Sequence, residues 1–152
     1  MEDRVDSGTE GIGIGMLNGP RRTRPSMTQD AAFWWEGLSA RQLRLQRCTA
    51  CGTHRHPPQP RCVECGDMTW DWFVWAGTGT LHSFVVYRYP ELPATTYPYC
   101  VGTVELDDGI RVVVPLVPND GEGLAIGAAV TLAWATDEDG GGWPVFRLAA
   151  AS

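Results

Sequence analysis

The chain has 152 residues, 12 basic and 18 acidic, a net charge of -6 and 43% hydrophobic residues, a globular composition too acidic for wholesale wrapping of nucleic acid. Every basic residue is an arginine, which excludes a Schiff-base lysine and a P-loop lysine of the chain's own. No apolar run approaches the ~18 residues of a membrane span, and the N-terminus lacks the basic-then-apolar order of a secretory signal, so a cytoplasmic protein that does not enter a membrane is expected.

Residues 1–26 hold the Gly-rich run Gly11 to Gly15 and then Gly19-Pro20-Arg21-Arg22. No apolar periodicity spans them, and a flexible tail is expected there. Thr28 to Leu38 reads as a short helix, with Thr28 as its cap and Phe33, Trp34 and Leu38 at helical spacing. Gly37 is expected to weaken or end it. Trp35 follows Trp34 by about 100° around such a helix and would be turned outward. Phe33, Trp34 and Trp35 are therefore candidate anchors for a protein partner; the alternative is that all three pack within the chain. Leu43 and Leu45 alternate with Gln42, Arg44 and Gln46, so a strand is expected to lead into Cys48. Thr69 to Trp75 is aromatic and strand-like, with Trp70 and Trp72 on either side of Asp71 in the manner of a core face.

Between these strands lie Cys48, Cys51, Cys62 and Cys65. They read as two Cys-x2-Cys knuckles that can offer four thiolates to one tetrahedral Zn2+. A glycine follows each knuckle, Gly52 and Gly66, where the backbone must turn with positive φ for its amides to face the sulfurs. A structural zinc is the primary reading; an iron or redox site and a pair of disulfides are the competing ones. Four thiolates close the coordination sphere, so a catalytic zinc with an open position is not expected. His54 and His56 lie between the knuckles and are expected to be exposed or to sit behind the thiolates rather than to ligate.

Gly77-Thr78-Gly79 marks a junction. Residues 27–76 are expected to form the helix and zinc ribbon, and residues 77–150 a second unit. The latter holds five strand-like runs, roughly 79–89, 98–106, 110–117, 128–136 and 143–149. Asp107-Asp108-Gly109 is a hairpin signal between the second and third. Thr136 to Gly142 is an acidic turn between the fourth and fifth. A longer link, Pro118 to Gly127, follows the third, a spacing that suits a small closed Greek-key barrel of the OB type. The fold class expected is mainly β.

A more specific signal is the ordered set Phe33-Trp34-Glu36-Gly37, Leu43-x-Leu45-Gln46-Arg47-Cys48-x-x-Cys51-Gly52, Pro57-Pro58-x-x-Arg61-Cys62-x-x-Cys65-Gly66, and Gly77-x-Gly79-Thr80-Leu81-His82-Ser83-Phe84. It continues through Tyr97-Pro98-Tyr99, Val104-Glu105-Leu106-Asp107-x-Gly109, Ile126-Gly127 and Phe146-Arg147. Over roughly residues 30–148 this resembles the DUF35 family, a rubredoxin-like zinc ribbon followed by an OB-fold and associated with acyl-CoA metabolism. The resemblance implies an accessory, non-catalytic subunit. Such a subunit binds a thiolase-superfamily partner and helps form its coenzyme A thioester site, for carbon–carbon bond formation or retro-aldol cleavage, sterol side-chain esters included.

Residue chemistry keeps two alternatives in view. An OB-fold with Trp70, Trp72, Trp75, Phe84, Tyr87 and Tyr89 has the aromatics to stack bases, although its acidity opposes a nucleic-acid role. A self-sufficient acyl-transfer enzyme would need Cys100 paired with His82, the cysteine outside the knuckles and the histidine outside the ribbon; a buried, inert Cys100 is the expectation. Arg88, Arg111 and Arg147 are candidate contacts for coenzyme A phosphates, with nothing in the sequence to show that they converge.

Overall fold

The computed structural model describes residues 28, 30–91, 97–136 and 142–150. The tail expected over residues 1–26 lies outside them. Helix α1 spans Ala32–Ser39, shorter than expected. Thr28 does not cap it: Ala31 is the N-cap, without a side-chain cap, and the Thr28 carbonyl accepts the Ala31 N–H. Gly37 does not end it either. It is buried within the helix because the Arg44 side chain lies where its Cβ would stand, 2.8 Å away. The helix ends at Arg41, whose φ of 54° lets the Gln42 N–H reach the Gly37 carbonyl and the Arg41 N–H reach that of Leu38.

Strands β1 (Arg44–Cys48), β2 (His54–Arg55) and β3 (Trp70–Val74) form an antiparallel sheet in the order β2-β1-β3. Alternation along β1 splits its residues between two faces. Leu45, with Leu43 just before the strand, faces the barrel and is fully buried. Arg44 and Gln46 lie on the other face, toward α1. Trp70 and Trp72 do not make the core face expected of them. Trp70 packs on Phe33, with ring centroids 5.1 Å apart, while Trp72 is 40% exposed and carries the Arg44 guanidinium 4.0 Å above its ring.

Strands β4 (Thr78–Tyr87), β5 (Tyr99–Leu106), β6 (Arg111–Val117), β7 (Ala129–Thr136) and β8 (Gly142–Leu148) close a barrel in the order β4-β5-β6-β8-β7. The first residues of β4 pair with β7 and the whole strand pairs with β5, across a register shift between Leu81 and Ser83. The β6–β8 pair is parallel. This is the OB arrangement, and its five strands fall where the sequence places them. The Asp107-Asp108-Gly109 turn joins β5 to β6, with Gly109 at φ 82° donating to the Leu106 carbonyl. Strict alternation in β5 sends Cys100, Gly102, Val104 and Leu106 inward. The ribbon and the barrel share one core: Leu43, Leu45 and Trp75 cluster with Leu81, Val104, Leu116 and Phe146. No helix among the described residues is long and apolar enough to cross a membrane.

Candidate metal centre

The two knuckles are built alike. In the first, the Cys48 N–H donates to the Thr53 carbonyl and the Gly52 N–H to the Cys48 carbonyl; in the second, Cys62 and Asp67, then Gly66 and Cys62, repeat the pattern at 2.8–2.9 Å. Gly52 and Gly66 both adopt φ 77°, the positive φ that the sequence required. The β1–β3 pairing and the 56–61 loop bring the knuckles together. All four sulfurs lie within 4.8 Å of one another, with Cys48–Cys65 at 3.7 Å and Cys51–Cys62 at 3.6 Å. A tetrahedron with Zn–S bonds of ~2.3 Å has edges of ~3.8 Å, which these two pairs match, so the cluster has the dimensions to hold a zinc ion. The cysteines are not joined as disulfides. Cys48 and Cys62 are buried, and Cys51 and Cys65 form the outer edge. The Thr53 hydroxyl and backbone N–H donate to the Cys51 sulfur and draw its thiol down to about 6, toward the ionised form that a metal binds.

Neither ribbon histidine joins this cluster. His54 Nδ1 bonds the Asp108 carboxylate on the β5–β6 turn, linking ribbon to barrel, and its ring lies on Phe73. His56 packs under Trp34, with centroids 4.6 Å apart, and burial lowers its pKa to about 4.

Of the candidate partner anchors only Phe33 is buried; Trp34 and Trp35 pack on the chain and remain partly exposed. Phe33 is buried on Trp70, Trp34 covers His56, and Trp35 meets Trp143 of β8 edge-on at 6.4 Å. Trp35 is thus turned outward only in part: α1 touches β8 as well as β1, so the side of the helix away from the ribbon still has a surface to meet. Cys100 is fully buried and its thiol is pushed up by burial and by Asp120, while His82 is exposed on β4, so they form no catalytic pair. Arg88, Arg111 and Arg147 are exposed. Arg111 begins β6 and pairs with Glu105, whereas Arg147 stands opposite Val117 at the other end of that strand.

Two features escaped the sequence reading. Arg55 is buried in the ribbon, 6% exposed, with no hydrogen-bond partner for its guanidinium nitrogens. The outer face of β4–β6 carries an apolar patch. Val85 and Tyr87 pair with Val101 and Tyr99, and Thr103 pairs with Val113, which is 70% exposed. Hydrophobic alternation in β4 and β6 is too weak to reveal that face.

Family models match both halves: the ChsH2 rubredoxin-like zinc ribbon domain over residues 35–70 and the ChsH2 C-terminal OB-fold domain over residues 72–135. The chain is 44% identical over 128 residues to a probable enoyl-CoA hydratase alpha subunit of Thermomonospora curvata, covering 84% of this chain and 40% of the relative. It is 40% identical over 107 residues to the 3-oxo-4,17-pregnadiene-20-carboxyl-CoA hydratase alpha subunit of Mycobacterium tuberculosis, covering 70% of this chain and 34% of the relative. It thus spans well under half the length of either. A solved structure described as the Ltp2-ChsH2(DUF35) aldolase contains a chain 43% identical to this one, with a TM-score of 0.78, covering 84% of this chain and all of that one. The chain belongs to the ChsH2-type DUF35 family, a rubredoxin-like zinc ribbon followed by an OB-fold.

Proposed function

We propose that the chain is a zinc-binding, non-catalytic accessory subunit of an acyl-CoA carbon–carbon bond enzyme, and that its partner is a thiolase-superfamily protein. The observation that carries this reading is the match, at 43% identity, to the whole length of a chain from a two-component aldolase. Two relatives named as alpha subunits of CoA-ester hydratases support it. Cys48, Cys51, Cys62 and Cys65 hold Zn2+ and thereby set the ribbon, and through His54, Leu43 and Leu45 the ribbon is fixed to the barrel. The burial of Cys100 away from the exposed His82 agrees with reacting groups that belong to the partner. The apolar patch around Val85, Tyr87 and Val113 on the outer face of β4–β6 is where the partner docks. Coenzyme A thioester binds in a site that the two chains complete together.

The test is co-expression with the thiolase-superfamily protein of the source cell, followed by co-purification and retro-aldol and thiolysis assays on acyl-CoA substrates. The chain alone is expected to be inactive and the complex active. Val85→Asp with Val113→Asp is expected to abolish co-purification without unfolding the chain. Turnover by the isolated chain, or a partner protein fully active and stable without it, would overturn the proposal.

A further inference from the structure

We infer that Arg55 is the counter-charge of the metal centre. The inference rests on the zinc reading above and concerns a residue outside the ligand set.

Arg55 is a buried cation without a counter-ion among the described residues. Its Nε, Nη1 and Nη2 are all shielded and all lack a hydrogen-bond partner. A guanidinium cannot shed its proton to relieve this, and an isolated buried charge is strongly unfavourable. The acceptor opposite it in the sheet is engaged elsewhere, and so are two carboxylates of the ribbon and α1. Gln46, directly opposite Arg55 in the sheet, turns both ends of its amide to the Gln59 backbone. Asp71 is held by Arg47, and Glu36 faces Arg44.

The ribbon builds one concentrated negative charge, and the register brings one of its ligands, Cys48, near Arg55. Zn2+ with four thiolates carries a net charge of -2, since coordination deprotonates every thiol. Register places Arg55 opposite Gln46, two residues before Cys48 on the same face of β1. Arg55 and Cys48 are therefore diagonal neighbours, with ~7–8 Å between backbones, a gap that an arginine side chain spans easily. Burial keeps solvent and salt from screening the pair. Knuckle hydrogen bonds such as Thr53 to Cys51 disperse part of the sulfur charge but bring no full positive charge. The other ribbon cations contribute less. Arg44 and Arg47 are tied to carboxylates, and Arg61 is exposed. Arg55 thus offsets the charge of the metal-loaded centre, and the loaded centre in turn relieves the buried cation.

The experiment uses the full chain as wild type, Arg55→Met and Arg55→Lys, each loaded with zinc and checked for stoichiometry by elemental analysis. Zinc transfer to an excess of a colorimetric chelator is timed, and the sulfur-to-metal charge-transfer band is recorded after cobalt substitution. Arg55→Met is expected to release zinc at least tenfold faster and to shift the cobalt band to longer wavelength, because thiolates without their cation give up electrons more readily. Arg55→Lys, which keeps the charge and alters the packing, is expected to stay within about threefold of wild type with its band unshifted. Should Arg55→Met fail to fold, Arg55→Gln is read in its place. Wild-type release and an unshifted band in the neutral variant would overturn the inference, as would Arg55→Lys behaving like Arg55→Met, which marks a packing role. A wild type that binds neither zinc nor another tetrathiolate metal overturns the zinc reading itself.

Discussion

Trp35 decides between an internal and an external role for α1. Its ring meets Trp143 at 6.4 Å and 78°, beside Leu38 and the close approach of Gly142 to the helix, where a Cβ would stand 2.9 Å from the Leu38 carbonyl. Trp35→Ala would leave that wedge empty. A tryptophan buries about 150–250 Å². Because this one is only half-buried, we take the lower figure, which at ~25 cal/mol/Å² gives about 4 kcal/mol. Residual burial in the unfolded chain reduces this by up to ~40%, to roughly 2–3 kcal/mol. For a domain of this size that lowers Tm by roughly 10 °C. Urea denaturation of the zinc-loaded chain, followed by far-UV circular dichroism, is the assay. The variant is expected to unfold at clearly lower urea and, where still folded, to bind its partner normally. An unchanged midpoint together with loss of the partner would refute the reasoning and restore Trp35 as an exposed anchor.

Further outcomes follow from the same geometry. Elemental analysis should find one zinc per chain, and Cys62→Ser, which removes a buried ligand, should lose it and unfold the ribbon, since metal contributes on the order of 10–16 kcal/mol in finger peptides. His56 should give a stability slope on the acid side. The folded ribbon excludes a proton that the unfolded imidazole accepts, so stability falls as pH drops from 6.5 to about 4 and that contribution is flat outside the window. The loss is at most ~3 kcal/mol, and His56→Phe should remove it in denaturation curves taken across that range. Gly102→Val would place a Cβ 2.4 Å from Leu116 Cδ1 and 2.9 Å from the Ser83 carbonyl, so a loss of about 3 kcal/mol in thermal unfolding is expected.

The metal centre was legible because its chemistry is local. Two Cys-x2-Cys-Gly turns carry both the ligands and the backbone geometry, and the structure only had to bring them together. The barrel strands were legible for a similar reason: inward and outward residues alternate cleanly in β5, and Asp107-Asp108-Gly109 marks its turn. The Trp35–Trp143 contact was not legible because helical spacing gives the angle of a side chain but not what waits at that angle, and β8 lies more than a hundred residues away. Arg55 was invisible since nothing in His54-Arg55-His56 distinguishes a buried arginine from a solvated one. That distinction arises from the three-strand register and the loop that follows. The His54–Asp108 contact joins two segments whose only sequence signals are a knuckle and a turn.

Leu43 and Leu45 belong to the ribbon by strand and to the barrel by contact. A chain cut at Gly77 would therefore leave two pieces with raw apolar faces rather than two domains. Amide exchange offers a direct view of this. The inward strands of the barrel, around Leu81, Val104 and Leu116, should exchange slowly only while the knuckles, on the far side of the ribbon sheet's leucines, remain closed. A chelator added to the intact protein would then be felt beyond the cysteines' own loops, as a quickening of the barrel as well, and the OB-fold could not be borrowed for another purpose without carrying its metal clasp with it.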